Sequence, residues 1–279
     1  MTGFSSEWLA LREAADHRAR DGMLSMALAS ALQSRPHVTV VDIGCGTGSN
    51  IRATYAALGA EQDWTLVDYD PKLLTAARAA LSAWADTAVM DGDALMLKKS
   101  GKTLRVKFRQ ADLNADLDAA LGAKADLITA SALFDLCSVP FIERFAKAAA
   151  ARRAIFYTVL TYNGIQRWTP KHDLDQAMSD AFHAHQKTDK GFGISAGPDA
   201  PAALAKSFAA LGYKVQEGDS PWLLARSDQT LIDALVPGYA GAVRETVRIK
   251  SADIESWLKL ERRGSEVGHT DTLALPPKV

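Results

Sequence analysis

Three glycines at alternate positions, Gly44, Gly46 and Gly48, lie between Asp42 and Asn50 in the stretch VVDIGCGTGSN. Glycine lets the backbone take φ > 0 and lets a ligand approach with no Cβ in the way. Cys45 falls inside the same turn, and helix-compatible sequence resumes at Ser49-Asn50-Ile51-Arg52-Ala53. The free N–H groups of a helix N-terminus then point back at the turn. The β-branched run Val38, Val40, Val41 and Ile43 predicts the preceding element as a strand buried on both faces, as central parallel strands are. Strand, glycine turn and helix together make a nucleotide-type cradle. Spacing narrows the ligand: the dinucleotide fingerprint has its third glycine or alanine where this chain has Ser49, which disfavours NAD and FAD. A Walker loop is excluded, because no Gly-Lys-Ser/Thr follows the turn.

A second strand, Trp64-Thr65-Leu66-Val67, ends at Asp68, and Asp70-Pro71 opens the next helix with a capping acid and an N1 proline. An acid at the carboxyl end of that strand stands where the ribose of an adenosine cofactor sits in doubly wound folds. Asp42-Ile43-Gly44-Cys45-Gly46-Thr47-Gly48 and Asp68-Tyr69-Asp70-Pro71 resemble motifs I and II of the class I S-adenosylmethionine (SAM) dependent methyltransferases. The resemblance implies SAM as cofactor. It assigns Asp68 to the ribose and matches Asp112 and Leu113 to the acid-plus-apolar pair that contacts the adenine, with Asp112 as a helix cap still open. It places Asp42, Gly44, Cys45, Gly46, Gly48, Asn50, Tyr69 and Ser131 around the cofactor. Arg12, or alternatively Arg20, is the guanidinium for the methionine carboxylate. Ser131-Ala132-Leu133-Phe134-Asp135-Leu136 resembles motif IV but lacks the Asn/Asp-Pro-Pro-Tyr/Phe signature of amino-methylating nucleic-acid enzymes.

Composition points the same way. Lys and Arg total 32 against 33 Asp and Glu, so nothing suggests a polyanionic partner, and no nucleic acid is expected. Cys45 and Cys137 offer neither a metal spacing nor a disulfide framework. No apolar run approaches the roughly 20 residues a membrane span needs, and no signal peptide is evident, so a cytoplasmic protein is expected.

The expected fold is α/β, a doubly wound, seven-stranded, mostly parallel Rossmann-like sheet in one domain. An N-terminal helical cap covers 1–35 and a cofactor-binding half 36–160, with Asp86 to Lys99 read as a turn. An insertion at 161–201 is read as a lid over the methyl group, since it far exceeds a usual connection of roughly 2 to 6 residues. The C-terminal half, 202–279, includes a helix interrupted at Pro237-Gly238 and an antiparallel last strand at Thr270 to Leu275.

For the reacting centre the expected side chains are His185, Tyr162 and Asp135. A histidine takes a proton near neutral pH, and His183 is the alternative to His185. These two are spaced i,i+2 on a helix, which turns them to different faces and argues against a metal pair. The expected function is methyl transfer to a small-molecule acceptor. The competing readings are a non-catalytic SAM-binding or interaction module and an NAD(P)-dependent oxidoreductase. The sequence names neither the acceptor nor the oligomeric state.

Overall fold

The computed structural model describes residues 4–278. The predicted N-terminal helical region is a pair, α1 (Ser6–Ala19) and α2 (Gly22–Leu32), each started by a side-chain cap, Ser5 and Asp21. Then come β1 (His37–Ile43), α3 (Ser49–Thr54), β2 (Glu61–Asp68) and α4 (Pro71–Trp84), the last capped by Asp70 with proline in its first turn. Gly59, after the cradle's helix, permits a close approach: a Cβ there would lie 2.6 Å from the Arg35 carbonyl oxygen.

The stretch read as a turn at Asp86 to Lys99 is a hairpin, β3 (Thr87–Asp91) and β4 (Ala94–Lys99), turning at Gly92 with φ +59°. It leads into β5 (Lys102–Gln110), α5 (Leu117–Leu121), β6 (Leu127–Ser131), α6 (Val139–Ala151) and β7 (Ile155–Thr169). After β7 come α7 (Asp175–Gln186), α8 (Ala200–Ala210), β8 (Lys214–Asp219) and β9 (Trp222–Leu224). The chain closes with α9 (Gln229–Glu245), α10 (Ser251–Leu258) and β10 (Gly264–Leu275).

The sheet order is β3-β4-β5-β2-β1-β6-β7-β10-β8, with β9 paired to β10. From β5 to β7 all pairs are parallel, and β10 runs antiparallel between β7 and β8. The expected seven strands are therefore the centre of a ten-stranded sheet. The excess is the edge hairpin and the three-residue β9.

Both faces are covered, which is why the central strands read as unbroken apolar runs. One layer packs Phe134, Phe145, Phe156 and Phe208 under α6 and α8, and the other packs Leu28, Trp64 and Leu81 under α2 and α4. Strand order reverses beside β1, where the chain crosses from the β2–β5 side to β6. The carboxyl ends of β1 and β6 therefore flank a crevice, the usual ligand position in open α/β sheets.

The segment at 161–201 differs from the expected lid. Its first part, Thr161 to Thr169, continues β7, and β10 is correspondingly long, so the two form a ribbon that runs on beyond the neighbouring strands. On this ribbon α7, α9 and α10 build further cores. One holds Trp168, Met178, Tyr239 and Trp257, and another Tyr162, Trp222, Ile232 and Val267. The helix expected to break at Pro237-Gly238 is continuous, with Pro237 inside α9. Among the described residues no helix is long and apolar enough to cross a membrane.

Candidate functional site

Two cavities open at the carboxyl ends of the parallel strands. The first, of about 660 Å³, is walled by the turn residues Gly44, Cys45, Gly46 and Thr47, and by Asn50, Asp68, Tyr69, Asp112, Leu113 and Ser131. Gly44 and Gly46 have φ of +61° and +53°, and a Cβ on either would sit 3.1 Å from a leucine side chain, Leu133 or Leu9. Both steric reasons for glycine therefore hold at this turn.

Asp68 fixes the turn to the tip of β2. One carboxylate oxygen accepts the Gly46 N–H at 2.8 Å and the other the Asp70 N–H at 3.0 Å. Burial pushes its carboxyl up from the ordinary value, against those two bonds. Asp112 accepts the Asn114 N–H at 2.8 Å, so it caps its turn and lines the cavity at once.

Two predicted cofactor residues stand elsewhere. Asp42 lies beneath the turn, fully buried, accepting from the Asn50 amide at 2.8 Å, and is not part of the cavity wall. Burial pushes its carboxyl up to about 7, since only Asn50 and the nearby charge of Arg20 oppose the desolvation. Gly48 also turns away: with φ +73° it starts α3 and packs near Ala77 and Leu81 of α4. Both support the cradle from behind.

The second cavity, of about 460 Å³, adjoins the first. Phe4, Arg12, Ala132 and Leu136 line both. Its other walls include Trp8, Asp135, Tyr162, Phe182, Trp222 and His269. Arg12 thus stands at the junction, but its fork is engaged. Nε donates to both oxygens of Asp16, at 2.9 and 3.2 Å, and Nη2 donates to one of them at 3.1 Å. Trp222 Nε1 donates to the same carboxylate at 3.0 Å, and the guanidinium carbon lies 5.0 Å from the Trp222 ring centroid. Arg20, the alternative, is spent on Asn50 and Thr54 beside the cradle and lines neither cavity.

Of the three side chains expected at the reacting centre, Asp135 and Tyr162 line this second cavity and His185 does not. His185 points to the outer side of α7, its Nε2 held 3.0 Å from Glu245 and 3.2 Å from Lys190. The i,i+2 spacing explains this, because it is the His183 face of α7 that looks at Tyr162. His183 Nε2 lies 3.0 Å from the Tyr162 hydroxyl and 3.1 Å from the Gly164 carbonyl oxygen. A carbonyl only accepts, so Nε2 carries the hydrogen and the Tyr162 O–H stays free to donate. Burial, reinforced by the charge of Asp135, raises the Tyr162 phenol further and keeps it protonated.

Asp135 is 8% exposed, and its Oδ1 has no hydrogen-bond partner among the described residues. Burial pushes its carboxyl up to about 6, although Arg12 pulls the other way. His269 behaves oppositely. Burial and the charge of Arg12 hold it down at about 3, and its Nδ1 donates to the Ser220 carbonyl oxygen at 3.3 Å. It is a neutral imidazole whose Nε2 carries a lone pair. Neither His269 nor Trp222 was foreseen, since each stands on a strand outside any motif.

The segment expected to cover the methyl group divides between the cavities. Phe182 and Gln186 of α7 line the second, while Gly191 and Phe192 line the first. Asn114 donates to the Gly191 carbonyl oxygen at 3.4 Å, so this glycine-rich exit lies at the Asp112–Leu113 end. Among the described residues no group of three or more His, Cys, Asp or Glu forms a metal site.

Residues 40–102 match a family model described as a methyltransferase domain, and that stretch contains the glycine turn, β2 with Asp68, and the hairpin of β3 and β4. The stretch that holds the glycine turn and Asp68 is thus similar in sequence to methyltransferase domains. The biotin biosynthesis bifunctional protein BioCD of Bordetella avium (strain 197N) is 39% identical over 79 residues, which are 28% of this chain and 16% of that protein. The chain therefore spans far less than two thirds of that relative.

Solved structures share the fold across the whole length. A cyclopropane-fatty-acyl-phospholipid synthase-like protein from Lactobacillus casei ATCC 334 has TM-score 0.51 at 15% identity, covering 98% of this chain and 95% of its own. A cyclopropane synthase from Mycobacterium tuberculosis has TM-score 0.51 at 14% identity, covering 97% and 94%. The shared fold thus reaches the C-terminal ribbon, while the family model matches residues 40–102.

Proposed function

We propose that this chain transfers the methyl group of SAM to a small-molecule acceptor held in the second cavity. The observation that carries this reading is the shared wall of Phe4, Arg12, Ala132 and Leu136, which sets a second space directly against the cofactor cradle. The first cavity suits SAM. Its turn carries no Cβ at Gly44 and Gly46, Asp68 offers acceptor capacity for ribose hydroxyls, and Asp112 with the Leu113 backbone offers an acceptor and a donor for adenine. When bound, SAM supplies an electrophilic methyl carbon on a cationic sulfur.

What remains for the protein is alignment, exclusion of water and handling of one proton. Asp135 is the group we assign to take that proton, with the Tyr162 hydroxyl in the same wall. Arg12, tied to Asp16 within α1 and lying against the Trp222 ring, is engaged rather than a free anion site. We read the chain as one domain, and its free, buried Cys45 and Cys137 suit a reducing cytoplasm.

Calorimetric titration of the full chain with SAM, S-adenosylhomocysteine (SAH) and NAD tests this reading. Both adenosyl ligands should bind at micromolar levels and NAD should not; binding of NAD alone would replace it with the oxidoreductase. A second outcome concerns α7. His185→Ala should leave SAM affinity and turnover within about twofold, because it removes only outer contacts with Glu245 and Lys190, an exposed pairing of the kind worth roughly 0.2–1 kcal/mol. A loss beyond tenfold would return His185 to the reacting centre.

A further inference from the structure

We infer that the acceptor taken by the second cavity is a primary amine on an apolar body of aromatic size, with Asp135 as the partner of its nitrogen. This rests on the methyltransferase reading above and names the substrate class of the same site.

The argument begins with hydrogen-bond capacity. Oδ1 of Asp135 and Oε1 of Gln186 are buried, belong to side chains that line the cavity, and have no partner among the described residues. A buried carboxylate oxygen left unpaired is costly, so groups like these point to a donor that arrives with the ligand. His269 adds a third acceptor, since its Nδ1 donates to Ser220 and its Nε2 keeps a lone pair. Gln166, also in the wall, has its amide N–H engaged with Ser265 at 2.8 Å, which leaves its carbonyl oxygen. The cavity is therefore rich in open acceptors. A hydroxyl donates one hydrogen, whereas an ammonium donates three.

Charge leads to the same class. Arg12 and Asp16 neutralise each other through a forked contact, so Asp135 is the carboxylate in this wall without an ion-pair partner. An anionic acceptor would meet Asp135 and find the guanidinium fork already occupied. A cation meets Asp135 and the rings of Trp8, Tyr162, Phe182 and Tyr239, which also attract positive charge. The about 460 Å³ of the cavity accommodates a ring with a short side chain.

The chemistry balances. With the sulfonium beside it, a bound ammonium loses a proton more readily, because like charges disfavour the charged form. That proton passes to Asp135, whose buried carboxyl is predisposed to hold it. The freed nitrogen lone pair forms the new N–C bond while the S–C bond breaks with its electron pair to sulfur. The products are a secondary ammonium and SAH.

The test reads binding rather than turnover. The full chain is saturated with SAH and titrated with 2-phenylethylamine, 2-phenylethanol and phenylacetate by calorimetry, at about pH 7.5 so that the amine is cationic. The amine should bind at least about tenfold tighter than the alcohol and the carboxylate. Asp135→Asn should abolish that preference. Gln186→Leu should weaken the amine a few-fold, which keeps the inference exposed should the first variant not fold. Equal or tighter binding of the alcohol or the carboxylate overturns the inference, as does absence of amine binding while SAH still binds. Failure of SAH itself to bind overturns the methyltransferase reading, and this inference with it.

Discussion

Asp68→Ala should weaken SAM and SAH binding about 100-fold while leaving the fold intact. The wild-type carboxylate does two jobs. Its oxygens accept the Gly46 and Asp70 N–H groups at 2.8 and 3.0 Å, which pins the glycine turn to the tip of β2. Their remaining lone pairs face the first cavity, where ribose hydroxyls would donate to a charged acceptor, each such bond contributing roughly 1.5–3 kcal/mol. Alanine loses both effects at once and relaxes a turn whose three glycines have no stiffness of their own.

The matched control is Asp70→Ala. Asp70 accepts from the Lys72 N–H at 2.8 Å as the cap of α4, so its loss should cost about 1 kcal/mol of stability. Its effect on affinity should stay within about threefold. Calorimetry and a thermal melt on the pair separate the roles. Equal affinity losses in the two variants would mean that Asp68 acts only through local structure.

The cofactor half was legible because its chemistry is written in consecutive residues. A turn needing positive φ at Gly44, Gly46 and Gly48 must carry glycine in the sequence itself, and Asp68 follows from where its strand ends. The acceptor half was not legible in that way. Asp135 and Tyr162 could be named from their places beyond β6 and along the chain after 160, but Trp222 and His269 stand on β9 and β10, and only strand pairing brings these to the same wall.

Local signals misled for physical reasons. The insertion was read as beginning at Thr161, yet pairing with β10 carries the strand through Gly164, at φ +93°, to Thr169. Pro237 looks like a helix end, yet burial of Ile232, Tyr239 and Val243 on one side of α9 holds the helix together across it. The hairpin of β3 and β4 was missed because β3 is mostly exposed and shows no clean alternation.

Asp135→Asn should make the protein more stable at neutral pH, and the gain should vanish in acid. The folded-state carboxyl is pushed up to about 6 by burial, against an ordinary value of 3.8. Between these values the folded chain holds a proton that the unfolded chain has released, so wild-type stability falls as pH rises through this window. Above about pH 6 the whole penalty is present, and below the ordinary value it is absent.

An asparagine carries no charge to bury and does not titrate. Its advantage over aspartate should therefore grow from near zero at about pH 3.5 to roughly 2–3 kcal/mol at pH 7, read as the difference between two urea titrations at each pH. Desolvation of His269, held at about 3, tilts the total stability the other way in the same range, but it is common to both proteins and cancels in that difference. A pH-independent gap would mean that Asp135 has a partner in the folded chain. A gap that opens with pH would identify a carboxylate kept at a cost to stability, as expected of a group retained for the acceptor and its proton.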